Sequence, residues 1–506
     1  MIGAESKTPG AEDAYRAPSA DDVGRLARAG AKWSISLLMA RQVIGVGVAG
    51  ILARLLSPDD FGLLAMVTTI TGFLTLISDM GLSWATVYDR DADFHKTNSL
   101  FWVGGTLGGA AWLLCILSAP LAVWFYKRTE LYPICIVMGS FLLVNGFASQ
   151  PLALLKKRIR QKELSLTQLC GTILAGAAAI GLAWLSSGYW ALVAQTLVAV
   201  LVTLVFAMLW SGFRPGRPNF AIGSGSLLKF GGLIGICNII TFLQVNLDSI
   251  LIGHYCTAAE LGFYSRAYYL RTLPALYVSM AVTDVMIPAF SALSADKERM
   301  AAAFRKVVTL MAFLGFPIAA GMGITAYETV HIVYGSKWTE VATLLQWLTL
   351  PAMILPITQA MGWMFISTGR VREMFYLTSA TFPAVLLILW YAVATKGVMG
   401  IVVAIAILYS LPLPFITIFF ALRVASLSLK RTFSPVLKIG IIALLAAAGA
   451  WSAGYLAELA AMHWIAVFVC KCLTGAVLYI ALSLQLLAPL PVPFLENALG
   501  GFRWKV

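Results

Sequence analysis

The chain has 506 residues, 60% hydrophobic and only 12% charged, with 36 Lys and Arg against 23 Asp and Glu for a net charge of +13. A soluble domain carries about one quarter charged residues, so a soluble globular protein is excluded. Apolar windows of about 20 residues, enough to cross a bilayer core, recur from residue 33 almost to the end, and the surplus bases can lie beside anionic lipid headgroups without any nucleic-acid partner.

Residues 1–30 are expected to form a cytoplasmic tail and a short amphipathic helix; the polar opening, "MIGAESKTPGAEDAYRAPSADD" at 1–22, is too long and acidic for a secretory signal, so the first apolar helix is expected to be retained. Its end, "DDVGRLARAGAKW", reads as a short basic interfacial helix. An N-lobe follows over 31–212, with helices predicted near 32–55, 60–86, 99–126, 131–155, 165–185 and 188–211. A C-lobe over 213–424 holds helices near 228–254, 259–290, 305–333, 341–367, 373–395 and 397–422. Two further helices, near 433–457 and 463–488, fill residues 425–506 together with a C-terminal tail. The fold class is therefore an all-α polytopic membrane protein with about 14 transmembrane helices.

Basic residues set the orientation, because cytoplasmic loops hold an excess of Lys and Arg. The tail and the even-to-odd connections are rich in them, as in "KKRIRQK" at 156–162 and "GRVR" at 369–372. The opposite connections hold Arg54, Lys127, Arg128, Lys337 and Lys396, so both termini are expected in the cytoplasm. None of these outer loops exceeds about ten residues by the predicted boundaries.

The halves echo each other in the same order. "LSPDDFGLLA" at 56–65 aligns with "CTAAELGFYS" at 256–265, "RIRQ" at 158–161 with "RVRE" at 370–373, and "GYWALVA" at 188–194 with "GVMGIVV" at 397–403. Such echoes predict two six-helix repeats facing the same way, related by an axis along the membrane normal. Glycines 104, 105, 108 and 109 make overlapping small-xxx-small pairs, which favour close helix packing. The seven cysteines are scattered, mostly within apolar stretches, as packing residues are. "CKC" at 470–472 lacks the further ligands of a zinc site.

Charges deep in predicted helices are the candidate functional residues. At 1.5 Å per residue, Arg41 lies about 12 Å into helix 1, Arg266 about 10 Å and Arg271 about 18 Å into helix 8, and Lys471 about 12 Å into helix 14. A buried cation costs about 2.5–3.5 kcal/mol on insertion scales, so it faces protein or a wet cavity; Lys471 can also snorkel to the interface. The acids Asp79, Asp248, Asp284 and Glu328 fall nearer the far interface, as caps or local ion pairs do. Guanidinium groups offer forked donors that suit phosphate oxygens, so the expected cargo is anionic, with pairing to an acid or to helix carbonyls as the structural alternative. Tyr264, Tyr268 and Arg271 recur at i, i+4 and i+7, along one helix face, where phenol rings could hold sugars.

Three stretches, "ARLLSPDDFGLLAM" at 53–66, "NLDSILIG" at 246–253 and "LGFYSRAYYL" at 261–270, together resemble the Wzx-type polysaccharide flippases. The resemblance is to the colanic-acid-exporter-like branch of the multidrug/oligosaccharidyl-lipid/polysaccharide exporter superfamily and spans about residues 30–425. It implies a V-shaped transporter of two six-helix lobes with two appended helices. The cargo would be an undecaprenyl-pyrophosphate-linked oligosaccharide, flipped from the inner to the outer leaflet of the bacterial cytoplasmic membrane for polysaccharide export. Related flippases place bases of helices 1 and 8 in the cavity, matching Arg41, Arg266 and Arg271 in type and helix, while Ala40 stands where relatives often have Gly. Tyr264 and Tyr268 complete the candidate binding set. A polysaccharide polymerase and export machinery are candidate partners beside membrane lipids.

The rival transporter is a cation-coupled drug antiporter of the same superfamily, which would need a deep carboxylate. Asp79 and Asp248 are the candidates for such coupling or gating, with a sodium ion or proton as coupling ion and no other cofactor expected. A membrane enzyme would need a sizeable loop or domain bearing carboxylates or histidines, and no such segment is present, so no catalytic residue is assigned.

Overall fold

A computed structural model describes residues 20–79, 86, 93–218, 225–273, 290, 297–424 and 428–486. Among them there is no strand. Backbone groups in hydrocarbon must bond within their own segment, and an apolar chain satisfies that with helices.

The helices are α1 (Ala20–Leu55), α2 (Pro58–Asp79), α3 (Phe94–Tyr126), α4 (Leu131–Lys157), α5 (Gln161–Trp184), α6 (Trp190–Ser211) and α7 (Gly225–Tyr255). Residues 258–273 form α8. Then come α9 (Lys297–Ile324), α10 (Ala326–Val333), α11 (Thr339–Ser367), α12 (Val371–Ser410), α13 (Pro412–Val424), α14 (Leu429–Leu459) and α15 (Trp464–Leu486). Eleven stretches among the described residues are long and apolar enough to cross a membrane, which makes this a multi-spanning membrane protein.

One of these stretches, Arg372–Arg423, is 52 residues long and holds two of the predicted spans. Gly397 breaks it with φ 59° and ψ −146°, a conformation open essentially to glycine. A Cβ on Gly400 would collide with the carbonyl oxygen of Ala392, eight residues earlier, which a straight helix would place about 12 Å away. The chain therefore doubles back here, at the boundary predicted between residues 395 and 397. Predicted helix 9 instead bends. Thr325 separates α9 from α10, although its N–H still reaches the Gly321 carbonyl (2.9 Å) and its own carbonyl accepts from Thr329 (2.8 Å). Most of the second half of predicted helix 8 lies outside the described residues, with Asp284.

The chain divides into two compact units, Met1–Gly262 with Val333–Gly335, and Phe263–Ile332 with Ser336–Val506. In the first, α3 packs on α4, α5 on α6, α1 on α5, and α2 against α3, α4 and α7. The glycine run does what its spacing predicts: Cβ atoms at Gly104 and Gly108 would strike the carbonyl oxygens of Gly146 and Leu142. In the second unit α9 packs on α11 and α14, and α14 on α15, around a core including Phe304, Met311, Met364, Phe365 and Ile439.

The three echoes share local geometry. In the first pair, the Ser57 and Thr257 hydroxyls and backbone N–H groups all donate to Asp60 and Glu260, while the N–H groups of those acids donate back to the hydroxyls. Both are capping boxes that satisfy orphan helix-start donors. Gly62 and Gly262 follow; a Cβ on the first would collide with the Ala258 carbonyl and one on the second with the Pro58 carbonyl. This exchange of partners is a local two-fold. Gly188 and Gly397, in the third pair, both have positive φ. The second pair needs a shift of two residues: Arg160 and Arg370 are the equivalents, each preceded by a left-handed residue (Ile159, Gly369) and each pairing with the acid three residues on, Glu163 and Glu373.

Candidate functional site

Helix α8 carries most of the predicted site. One turn advances 3.6 residues, so Tyr264, Tyr268 and Arg271 fall within about 60° of one another around the axis. Their side chains meet as that spacing requires. The rings of Tyr264 and Tyr268 lie 6.0 Å apart, and the Arg271 guanidinium sits 4.7 Å from the centroid of Tyr268. Tyr264 is fully buried and Arg271 is 7% exposed.

Arg266 falls on the opposite side of α8, where its guanidinium lies 5.7 Å from the ring of Tyr269. The helix therefore carries two arginine–tyrosine stacks on different faces. Of the two arginines, Arg271 is the buried one, and among the described residues its Nε has no hydrogen-bond partner and no carboxylate pairs with it. The stack on Tyr268 contributes about 1–2 kcal/mol, less than the several kcal/mol that removing a guanidinium from water costs.

Arg41 stands in the first unit. It is half-buried on α1, and its Nη1 donates to Oε1 of Gln168 on α5 at 2.5 Å. A neutral amide leaves the guanidinium charge uncompensated. Gln168 escaped the sequence reading, since nothing in an amide 127 residues away marks it as a partner.

The acids divide. Asp248 is buried on α7, where its Oδ1 accepts the Ser249 N–H at 2.6 Å. Asp79 ends α2, and its side chain lies outside the described residues. Among the described residues no three His, Cys, Asp or Glu side chains gather as a metal site. Lys471 joins no cationic site. It is buried and held by Glu328 and Glu458, at 2.5 and 3.4 Å, the second of these carboxylates being exposed.

Residues 51–343 match the polysaccharide biosynthesis protein family. The chain is 24% identical over 351 residues to the lipopolysaccharide biosynthesis protein WzxC of Escherichia coli, covering 68% of this chain and 70% of that one. It is 24% identical over 392 residues to the teichuronic acid biosynthesis protein TuaB of Bacillus subtilis (75% and 79% covered). With the succinoglycan biosynthesis transport protein ExoT of Rhizobium meliloti the identity is 28% over 310 residues (60% and 62%). Among solved structures, the lipid II flippase MurJ in an inward closed conformation has a TM-score of 0.69 at 14% identity, covering 90% of this chain and 99% of that one. A multidrug MATE transporter in a bent conformation scores 0.53 at 15% identity (81% and 98%). The fold is thus that of the MurJ and MATE transporters, and the chain belongs to the polysaccharide biosynthesis protein family of membrane proteins.

Proposed function

We propose that this protein flips a polyprenyl-pyrophosphate-linked oligosaccharide from the inner to the outer leaflet of the bacterial cytoplasmic membrane, for surface or exported polysaccharide. The observation that carries the reading is Arg271, a buried guanidinium with no anionic partner among the described residues, on a helix of this family's fold. A pyrophosphate supplies the charge that the site lacks and accepts the forked N–H donors of guanidinium groups. Arg271, Arg266 and Arg41 each engage the pyrophosphate during transport, while the rings of Tyr264 and Tyr268 position the first sugars.

The polyprenyl chain stays in lipid while the head group crosses by alternating access, which needs only two arrangements of rigid repeats about one site. Both termini face the cytoplasm, and the flipped unit passes to a polymerase and export machinery. The purified protein in proteoliposomes is expected to expose a pyrophosphate-linked oligosaccharide to an impermeant lectin on the opposite face. Exchange of organic cations for protons, with no lipid transfer, would overturn the reading in favour of a cation antiporter.

A further inference from the structure

The second unit contains an elongated cavity of about 480 Å³ between α9, α14 and α15. Its walls include Pro317, Ile324, Ala446, Ala450, Gly475 and Ile480. From Lys471 to Ile480 it follows α15 for about 14 Å, at 1.5 Å per residue, along the helix axes. The Tyr479 hydroxyl in this wall already donates to the Phe313 carbonyl (2.7 Å) and that of Thr325 to Gly321 (2.9 Å), so little is left for water to bond. An apolar cavity of about 150 Å³ stays dry and takes up hydrocarbon. This partly open slot is about three times as large, and its apolar lining runs along α15, as an alkyl chain would need.

Its Lys471 end is negatively charged. Lys471 Nζ is shared between Glu328 on α10 and Glu458 on α14, two carboxylates for one ammonium. The lysine stem passes over Gly454, where any Cβ would collide with it. Glu328 is 3% exposed, and its Oε2 has no hydrogen-bond partner among the described residues, whereas the Glu458 side chain is 56% exposed. Tyr327 and Tyr455, both exposed, stand one and three residues before Glu328 and Glu458, Trp451 stacks on Tyr455, and His331 packs edge-on against Trp464. Tyr and Trp concentrate at headgroup depth. The exposed carboxylate thus lies where a lipid headgroup would meet it.

We infer that the cavity holds one acyl chain of a phospholipid whose headgroup ends in an ammonium, of the ethanolamine type, with that ammonium against Glu458. The surplus carboxylate favours such a headgroup and repels a pyrophosphate, which sets this site apart from the arginine-bearing helices. The inference does not depend on what the protein transports.

The full-length protein in nanodiscs of equal phosphatidylethanolamine and phosphatidylglycerol, released for native mass spectrometry, gives the test. One retained ethanolamine lipid is expected, about fivefold in excess over the glycerol lipid. Glu458→Gln, at an exposed side chain and with Lys471 still paired to Glu328, should bring the two near parity while one lipid stays bound, and Ala447→Leu, inside the cavity, should lower total occupancy. Retention that mirrors the bulk mixture, preference for the glycerol lipid, or displacement by added polyprenyl phosphate would each overturn the inference.

Discussion

At the scale of single residues, two deep cations have opposite fates. Arg271 rests on the Tyr268 ring, whereas Lys471 is locked between Glu328 and Glu458. If stacking presents the guanidinium to the substrate, Tyr268→Phe should hold transport within about twofold and Tyr268→Leu should lower it about fivefold or more. Equal transport by both variants would show that the ring does no positioning. Lys471→Met strands a buried carboxylate and should cost about 3–5 kcal/mol, read as a fall in melting temperature in detergent. Adding Glu328→Gln should restore most of it, because the uncompensated charge is then gone. The Tyr264–Tyr268–Arg271 stripe was legible from the sequence because helical spacing alone brings those groups together. The Lys471 triad was not: its partners lie 143 and 13 residues away, and depth alone marks a charge as unusual without naming what neutralises it.

At the scale of elements, the repeated capping boxes fix where α2 and α8 begin, and Gly62 and Gly262 let those starts interlock backbone to backbone. Ser57→Ala should cost about 1 kcal/mol, the usual value of an N-cap. Gly62→Ala should cost more, since the obstacle is the Ala258 carbonyl, a backbone group that cannot rotate away. Thermal unfolding of the two variants side by side checks the order, and a smaller loss for Gly62→Ala would contradict the interlock. The capping pattern and the turn at Gly397 could be read from Ser/Thr-x-x-acid and from glycine between apolar runs. The shift in the second echo could not: "RIRQ" and "RVRE" match best as letters, but the left-handed residues Ile159 and Gly369 set the structural register. The bend at Thr325 was likewise hidden, because a chain that keeps its hydrogen bonds through a bend keeps an unbroken apolar pattern.

At the scale of the whole molecule, composition and the recurrence of unbroken apolar runs of about 20 residues were enough for a helical membrane protein, since a barrel strand would be shorter and alternate. The cargo is a matter of charge. Two negative charges leaving a cell at about −150 mV release roughly 7 kcal/mol, at about 2.3 kcal/mol per charge per 100 mV, so transfer should accelerate when an inside-negative potential is imposed on proteoliposomes. Rates indifferent to that potential would show that it does not drive the step. The most direct test of the central claim is lectin-scored transfer of a pyrophosphate-linked oligosaccharide by the wild type, Arg271→Lys and Arg271→Gln, each shown to be folded and equally inserted. The arginine account predicts partial transfer with lysine, which keeps the charge but loses the fork, and near-complete loss with glutamine. Transfer by Arg271→Gln at the wild-type rate would contradict it.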